Sequence, residues 1–329
     1  MRAAVFERYG PPEVLRIEEV EKPVPGSHEV LIRIHATTVC AGDWRIRKGD
    51  PFFLRFAYGF PKPKKVRIPG MELAGTIESV GDAVTRFRAG DRVFGGTGFR
   101  FGAAAEYACM PESGSLAMQP ANMTIEEAAG VFFGAMSALH FLRQAKVGAG
   151  QRVLIYGASG SVGTAAVQLA KHLGAHVTAV CSTANLPLMK SLGADQAVDY
   201  TREDFSIAGR VYDVVFDTVG RSGFRRTLRA LKRGGIYVQC GYSGRLWSLP
   251  AGMIGGMWTS LTGTAKNVGG VARGGAAELS FLKGLIEAGE LRTAIDRIYR
   301  LDEIAEAHRY AQAGHKKGNV IVIVAPASG

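Results

Sequence analysis

A glycine-rich turn between an apolar run and a helical pattern constrains this chain more than any other feature. Residues 151–156 read Gln-Arg-Val-Leu-Ile-Tyr and lead into Gly157-Ala-Ser-Gly160-Ser-Val-Gly163. After these glycines, apolar residues recur at helical spacing. Glycine permits a sharp turn and the close approach of a ligand, and the free amides of a helix N-terminus attract anions. The stretch therefore predicts a strand, a turn and a helix that fit a dinucleotide pyrophosphate.

Length and composition are those of a globular protein. The chain has 329 residues, of which 47% are hydrophobic and 21% charged, so it is long enough for two domains. No apolar run approaches the length of a membrane span, and the N-terminus lacks the apolar core of a secretion signal. We expect a soluble, cytoplasmic protein without membrane insertion. The four cysteines are far apart in the sequence, and we expect them to be reduced.

The net charge of +11 raises the question of a nucleic-acid partner. Basic residues are spread along the chain, and the one dense cluster, at residues 62–67, is interrupted by prolines. A general surface bias, or attraction of an anionic cofactor, accounts for this distribution better than a nucleic-acid site does. We therefore predict no nucleic-acid partner.

The first 120 residues have the pattern of a β-rich domain. Residues 14–20 and 30–37 are apolar or alternating runs between turn signals, and further runs follow at close spacing, which suggests a barrel. Residues 51–67 form an aromatic and basic loop that is too long to be a mere connection. This loop is either a substrate lid or a packed surface insertion.

Beyond residue 120, helices and strands alternate. Thr124 and Glu127 have the spacing of a capping box, and the strand–helix repeat that follows predicts a parallel, doubly wound sheet. We predict that the last apolar strand, residues 320–324, returns to the first domain. The predicted domains are residues 1–121 with 277–329, and residues 122–276.

Six motifs occur together along the chain. They lie at residues 30–34, 41–49, 70–81, 90–94, 156–171 and 191–200. With them, the chain resembles the medium-chain dehydrogenases/reductases, and more narrowly the zinc-free quinone oxidoreductase branch and its bacterial zinc-binding dehydrogenase relatives. The resemblance implies an α/β fold with a GroES-like β-rich catalytic domain beside a Rossmann domain. It also implies that the nicotinamide lies in the cleft between them.

The choice of cofactor depends on the end of the second Rossmann strand. NAD enzymes place an acidic residue there for the ribose hydroxyl, and this strand ends without one, which favours NADP(H). Ser182 and Thr183 are hydroxyl donors at that position, although Ser182 is also explained as a polar strand end. Tyr200 matches a tyrosine that lies beside the adenosine phosphate in related reductases. Where relatives carry a lysine in the next helix, this chain has Pro187, with only Lys190 nearby.

Zinc is not expected. In zinc-dependent members of the superfamily, a cysteine and a His-Glu pair supply the catalytic site. Cys40, Asp43 and Glu72 stand at the corresponding positions here, but Met71 replaces the histidine. Residues 95–107 contain none of the four cysteines that a structural zinc lobe requires. We interpret Cys40 as a small buried or cleft-lining thiol.

The resemblance also carries site residues over by position. Asp43, Trp44, Arg45 and Arg47 occupy the segment that flanks the nicotinamide and the substrate. Ser137 stands where relatives have a threonine near the nicotinamide ribose, and the alternative is a helix serine bonded to the carbonyl four residues earlier. Arg45, Arg47 and Ser137 are the predicted oxyanion donors. The predicted cofactor contacts are Cys40, Asp43, Gly157, Ser159, Gly160, Ser161, Val162, Gly163, Ser182, Thr183, Tyr200, Val219, Gly220, Gly241 and Tyr242.

The predicted reaction is hydride transfer from NADPH to a quinone or an α,β-unsaturated carbonyl. Trp44, Phe52, Phe53, Phe56 and Tyr58 are the predicted substrate contacts. Two alternatives stay open, an alcohol dehydrogenase or carbonyl reductase and a non-catalytic NADPH-binding protein.

We also predict a homodimer formed by pairing of Rossmann edge strands. The same reasoning treats two histidines and one acid as structural, namely His140, His308 and the strand-end cap Asp217.

Overall fold

The computed structural model describes residues 1–240 and 265–325, which form two compact units. The strands are β1 Arg2–Val5, β2 Arg16–Glu19, β3 Glu29–Thr38, β4 Glu72–Val80, β5 Arg92–Gly96, β6 Tyr107–Pro111, β7 Leu116–Met118, β8 Arg152–Tyr156, β9 His176–Cys181, β10 Gln196–Asp199, β11 Tyr212–Asp217, β12 Leu231–Gln239, β13 Ala265–Gly269, β14 Ile295–Arg300 and β15 Asn319–Ile323. The α-helices are α1 Ala41–Lys48, α2 Leu54–Tyr58, α3 Ile125–Ala129, α4 Phe132–Gln144, α5 Ser161–His172, α6 Leu186–Ser191, α7 Phe224–Ala230, α8 Ala276–Glu287 and α9 Ile304–Ala313.

The first unit comprises Met1–Phe133 and the segment from Gly274 to the C-terminus. Its main sheet has the strand order β14-β15-β3-β4-β5-β7, and β6 also pairs with β3. The pairs from β15 to β7 are antiparallel, whereas β14 and β15 are parallel. One apolar cluster joins β3, β4 and the C-terminal segment, with Ile32, Leu73 and Val322 fully buried in it. The N-terminal and C-terminal segments therefore share a single core.

The last strand lies inside this sheet. Ile321 of β15 pairs with Thr38 of β3 on one side and with Ile298 of β14 on the other. Sequence reasoning missed β14, because its sequence Ile-Asp-Arg-Ile-Tyr-Arg has no apolar run and its side chains are half-buried or exposed. A strand at a sheet edge can be this polar, since only one of its sides pairs and packs.

The second unit, Gly134–Arg273, contains a six-stranded sheet in the order β10-β9-β8-β11-β12-β13. Every neighbouring pair in it is parallel, as the strand–helix alternation predicts. Leu154, Val180 and Val215 are fully buried in the core of this unit. Among the described residues, β13 stands at one edge of the sheet. Residues 261–264, which precede β13 in the sequence, lie outside the described part of the chain.

The observed division falls between residues 133 and 134, later than the predicted residue 121. The capping box explains the difference: Thr124 and Glu127 exchange hydrogen bonds and start α3. That helix packs on β3 and β4 and so belongs to the first unit. None of the helices in the described ranges is long and apolar enough to cross a bilayer.

Candidate functional site

The turn between β8 and α5 contains two glycines that the fold itself requires. Gly157 has φ +76°, and a Cβ there would lie 2.2 Å from Cγ2 of Val219. A Cβ on Gly163 would lie 2.3 Å from the carbonyl oxygen of Gly157. Both distances are far below van der Waals contact, so neither position accepts a side chain without movement of the backbone.

Gly160 differs from its neighbours because it faces open space. A Cβ there would meet only the Gly157 carbonyl oxygen, at 3.7 Å. The helix begins at the next residue, Ser161, and its first amides have no partners within the helix. Ser159 and Val162 beside it are partly exposed. The open space and the amides form a cradle that fits a pyrophosphate.

Asp217, at the end of β11, organises the neighbouring loop. Its Oδ1 accepts hydrogen bonds from the amides of Val219 (3.0 Å) and Gly220 (2.7 Å), and its Oδ2 accepts one from Ser222 (2.8 Å). The side chain is fully buried, so these bonds satisfy a carboxylate that would be costly alone. Asp217 is therefore the cap that the sequence suggested. The other predicted strand-end residues, Gly241 and Tyr242, lie outside the described residues.

The end of β9 has an acidic neighbour that the sequence did not reveal. The Thr183 hydroxyl donates a short hydrogen bond to Oδ2 of Asp199, the last residue of β10. This bond and those from Thr201 lower the pKa of Asp199, so it is an anion. Arg202, with 75% of its side chain exposed, places Nε 3.6 Å from the same carboxylate. Ser182 accepts from the side-chain amide of Asn185 at 3.1 Å and keeps its own proton available.

Sequence reasoning missed Asp199 because it considered only the end of β9. Parallel strands end at the same edge of a sheet, so the last residue of β10 comes beside the last residue of β9. Register of neighbouring strands is the signal that would have found it. Tyr200, which follows Asp199, is 47% exposed, and its ring lies 6.4 Å from that of Tyr156.

Ser137 lies in α4 and belongs to the second unit. It is partly exposed, and within the described chain its hydroxyl makes no hydrogen bond. The alternative that its hydroxyl is satisfied by the carbonyl four residues earlier is not found. The hydroxyl of Ser137 is therefore free to contact a ligand.

In the first unit, Asp43 ties two loops together. Its Oδ2 accepts from the amide of Cys40 and its Oδ1 from the amide of Gly70, both at 2.8 Å. The side chain is fully buried, and burial raises its pKa to about 6, although the two amides oppose the shift. Both oxygens of Asp43 are thus used inside the unit.

Cys40 and Met71 pack against each other with their sulfur atoms 3.7 Å apart. Burial raises the pKa of the Cys40 thiol well above its ordinary value, and the nearby carboxylates of Asp43 and Glu72 raise it further. A thiol that stays protonated beside a thioether is a poor zinc donor set, since zinc needs a thiolate or imidazole. Within the described ranges, no three His, Cys, Asp or Glu side chains are placed to hold a metal ion. These residues do not fit a zinc site.

Glu72 and Lys316 are two ionisable residues of the first unit that influence each other electrostatically, and the sequence did not predict them as a site. The Phe133 amide donates to Glu72 at 2.6 Å, and the Thr38 hydroxyl donates a short hydrogen bond to the other oxygen. Burial raises the pKa of Glu72 to about 7. Burial also lowers the pKa of Lys316, while Cys40, Glu72 and Asp43 oppose that shift electrostatically. Lys316 Nζ donates to the Gly318 carbonyl at 2.7 Å.

The two predicted arginines of α1 have different surroundings. Arg45 is partly exposed, and its guanidinium lies 4.6 Å from the ring centre of Trp44. Arg47 is fully buried and donates to the Gly10 carbonyl, to Gln312 and to Nδ1 of His308. Burial lowers the pKa of Arg47 to about 10. Its donors are engaged inside the unit, which is the arrangement of a packing residue.

The aromatic residues of the loop at 51–67 also divide into two groups. Tyr58 faces the core of the first unit, with its ring 5.8 Å from that of Phe101. Phe52, Phe53 and Phe56 are 51%, 52% and 67% exposed. Phe60 in the same loop is 53% exposed, so the loop has one anchored tyrosine and four phenyl rings that face solvent.

Two known families match parts of the chain, and individual relatives match nearly its whole length. The alcohol dehydrogenase GroES-like domain family matches residues 26–120, and the zinc-binding dehydrogenase family matches residues 192–322. The quinone-oxidoreductase homolog of Spinacia oleracea is 33% identical and covers 98% of each chain. The NADPH-dependent alkenal/one oxidoreductase of Arabidopsis thaliana is 30% identical over 99% of this chain and 80% of its own.

The fold agrees with these relatives. The quinone oxidoreductase from Coxiella burnetii has a TM-score of 0.87 to this structure, with 29% identity over 99% of both chains. The predicted fold class, a GroES-like β-rich domain plus a parallel Rossmann sheet, is confirmed by this likeness, by the domain match and by the topology.

Proposed function

This chain belongs to the quinone oxidoreductase-like branch of the medium-chain dehydrogenases/reductases, and from that premise we propose that it is an NADPH-dependent reductase of quinones or α,β-unsaturated carbonyls. Its relatives are NAD(P)H oxidoreductases of this type. The observation that carries the proposal is the cradle at Gly160, where a Cβ would meet only the Gly157 carbonyl oxygen, at 3.7 Å, and where α5 begins at the next residue. When bound, the cofactor supplies the hydride.

The second unit has the task of holding the nucleotide. In our proposal the amides after Gly160 bind the pyrophosphate, and the loop capped by Asp217 supplies Val219 and Gly220. Ser182 and Arg202 would hold the ribose phosphate and would offer it one hydroxyl proton and one cation. The Thr183 hydroxyl proton is used by Asp199, so Thr183 contributes only as an acceptor.

Stabilising the negative charge that develops on the acceptor oxygen is the second task. We propose Arg45, which is partly exposed in the first unit, as a donor to that oxygen, and the role of Ser137 stays a prediction. Arg47 receives no part in the reaction, because its donors are engaged by His308, Gln312 and Gly10. Trp44 remains the proposed contact of the apolar acceptor, whereas Phe52, Phe53 and Phe56 face solvent.

A stopped-flow experiment tests the function. Enzyme saturated with NADPH is mixed with a panel of benzoquinones, naphthoquinones and enones, and NADPH absorbance is followed. A fast loss of absorbance that requires enzyme and acceptor supports the reductase. No loss across the panel, with NADPH bound as shown by its fluorescence, would leave a non-catalytic NADPH-binding protein. Turnover only with simple alcohols or ketones would favour the alcohol dehydrogenase alternative.

The role of Arg45 is tested by comparing Arg45→Leu with Arg45→Lys. Loss of a donor to a developing oxyanion typically lowers kcat about 100-fold. We expect that loss in Arg45→Leu, partial rescue in Arg45→Lys and little change in NADPH affinity in either. Equal loss of kcat and of NADPH binding would instead assign Arg45 to the cofactor.

We also propose that the protein is a homodimer. Strand β13 stands at one edge of the parallel sheet among the described residues, and an unpaired edge favours pairing with a second copy. Light scattering at micromolar concentration should give twice the mass of one chain, and the mass of a single chain would contradict the proposal.

A further inference from the structure

Three exposed phenylalanines of the first unit, Phe52, Phe56 and Phe60, pack on one another. Together with the exposed Phe53, which is adjacent to Phe52 in the sequence, we call them the phenyl patch. Each is between 51% and 67% exposed. The rings of Phe52 and Phe56 lie 5.6 Å apart edge to face, and those of Phe56 and Phe60 are stacked at 5.7 Å. Isolated exposed apolar residues are ordinary, but a group of rings packed on one another in solvent marks a contact surface.

The loop that carries the phenyl patch is held in place by contacts on its inner side. Tyr9 donates through its hydroxyl to the Gly59 carbonyl at 2.8 Å, and the Arg55 guanidinium lies 5.0 Å from the Tyr9 ring. Pro63 and Val66 are buried beneath the segment, and Tyr58 packs against the core of the unit. The outward position of the rings therefore follows from the packing of the inner side.

Three lysines follow Phe60 in the same loop. Lys62, Lys64 and Lys65 are exposed, and residues 51–71 contain no Asp or Glu. Arg67 forms ion pairs with Glu7 and Glu18, but no acid in the described ranges is within ion-pair distance of the three lysines. The surface therefore combines uncompensated positive charge with apolar rings.

We propose that the phenyl patch and these three lysines form a docking surface for an anionic lipid bilayer. Rings of this kind bind at the headgroup boundary, and lysines beside them are attracted by anionic headgroups. In this arrangement the protein adsorbs on the surface of the bilayer.

Two other occupants fit the observations less well. A second copy of the chain, placed face to face, would bring the same three lysines against each other, which like-charge repulsion opposes. A single-stranded nucleic acid stacks its bases on separate aromatic faces, whereas these rings already pack on one another, edge to face or stacked. An anionic bilayer satisfies both the charge and the continuous apolar patch.

Flotation of the full chain with vesicles tests the proposal, without cofactor or acceptor, so that its outcome is independent of the proposed reaction. We expect binding to vesicles of phosphatidylcholine with phosphatidylserine and much weaker binding to phosphatidylcholine alone. Each lysine contributes about fivefold to binding, so K62Q/K64Q/K65Q should bind the anionic vesicles about 100-fold more weakly. The charge-matched control K146Q/R233Q/K266Q removes three exposed cations elsewhere and should bind nearly as wild type.

The rings are tested separately. F52S/F56S/F60S should bind at least tenfold more weakly, while the control F99S, at a Phe that is 60% exposed elsewhere in the unit, should bind as wild type. In F53W, the added tryptophan fluorescence should be quenched by lipids brominated near the headgroup. Circular dichroism checks that each variant is folded.

Three results would overturn the proposal. One is equal binding of wild type and both patch variants to the anionic vesicles. Another is tighter binding to a single-stranded RNA oligomer that the patch variants lose. The third is conversion of a dimer to a monomer by F52S/F56S/F60S, which would make the patch a contact between copies.

Discussion

At the scale of single residues, burial decides what a charged or titratable side chain does. Arg47 and His308 are both fully buried and touch each other, with Arg47 Nε donating to His308 Nδ1 at 3.3 Å. Within the described residues, Nε2 of His308 has no partner. Burial, together with the positive charge of Arg47, lowers the pKa of His308 to about 3. The imidazole is therefore neutral in the folded protein at any ordinary pH.

This neutral histidine makes stability depend on pH. In the unfolded chain, histidine has a pKa of about 6.5, so below that pH the unfolded state binds a proton that the folded state does not. Stability is then complete above pH 6.5 and falls by about 1.4 kcal/mol per pH unit as the pH decreases. We expect this one group to cost about 2 kcal/mol between pH 7 and pH 5.

His308→Gln tests the effect, because glutamine offers Arg47 an acceptor and does not titrate. Urea unfolding of wild type and variant at both pH values should show that the variant loses about 2 kcal/mol less than wild type over that interval. If wild type and variant lost equal stability between the two pH values, His308 would bind a proton as readily in the folded protein as in the unfolded chain.

The carboxylate of Asp199 gives a second prediction at this scale. It lies beside Thr183, where a 2′-phosphate of NADPH would experience its charge, and Arg202 is the cation within 3.6 Å of it. Removing that cation in Arg202→Gln should raise the KM for NADPH about fivefold, which corresponds to about 1 kcal/mol for an exposed charge. The KM for NADH should change little.

Steady-state kinetics with both cofactors check this prediction. Arg210→Gln, which removes an exposed arginine elsewhere in the same unit, is the control and should leave both KM values unchanged. Asp199→Asn should act in the opposite direction and lower the KM for NADPH. If Arg202→Gln raised the KM for NADPH and the KM for NADH to a similar extent, the Arg202 guanidinium would not interact with the 2′-phosphate.

At the scale of elements, the β8–α5 turn shows that glycines in one motif serve different purposes. Gly163 is needed by the packing of the turn, since a Cβ would lie 2.3 Å from the Gly157 carbonyl and 2.6 Å from Ala158. Gly160 has an ordinary φ of −79° and faces open space. Gly163 is therefore structural, and in our proposal Gly160 keeps room for the ligand.

A pair of alanine variants separates these purposes. Gly163→Ala should destabilise the fold by about 2 kcal/mol or more, because the backbone must move. Gly160→Ala should change stability by about 1 kcal/mol or less, yet weaken NADPH binding at least tenfold, because its methyl group occupies the cradle. Thermal unfolding and fluorescence titration with NADPH measure the two effects. Wild-type affinity in Gly160→Ala would remove the cradle from the proposed site.

At the scale of the molecule, the first unit depends on β15, the last of the described strands in the sequence. Val322 of β15 is fully buried, and its strand lies between β3 and β14. The second unit has a core of its own. Damage to β15 should therefore affect both ends of the chain and spare its middle.

Val322→Asp tests this dependence, because it buries an unpaired carboxylate at a cost of about 4 kcal/mol or more. Limited proteolysis with mass spectrometry should show cleavage within residues 1–133 and 274–325 together, while a fragment near residues 134–273 persists. Ile298→Asp, on neighbouring β14 where the side chain is 55% exposed, is the matched control and should resist the protease. Cleavage confined to residues 274–325 would contradict a shared core.

The amino-acid sequence by itself determined the features that depend on local order. The glycine turn, the capping box at Thr124 and the strand–helix alternation all follow from backbone freedom, hydrogen bonds and periodicity within a few residues. The resemblance to the superfamily then supplied the pairing of a β-rich domain with a Rossmann sheet.

Only the tertiary structure decided which side chains meet. It brought Asp199 from one strand to Thr183 at the end of another, and His308 from the C-terminal segment to Arg47. Arg45 and Arg47 are two residues apart on one helix, yet only Arg47 is fully buried. Such outcomes depend on strand register and on what packs against each helix face, and these contacts join residues that are far apart in the sequence.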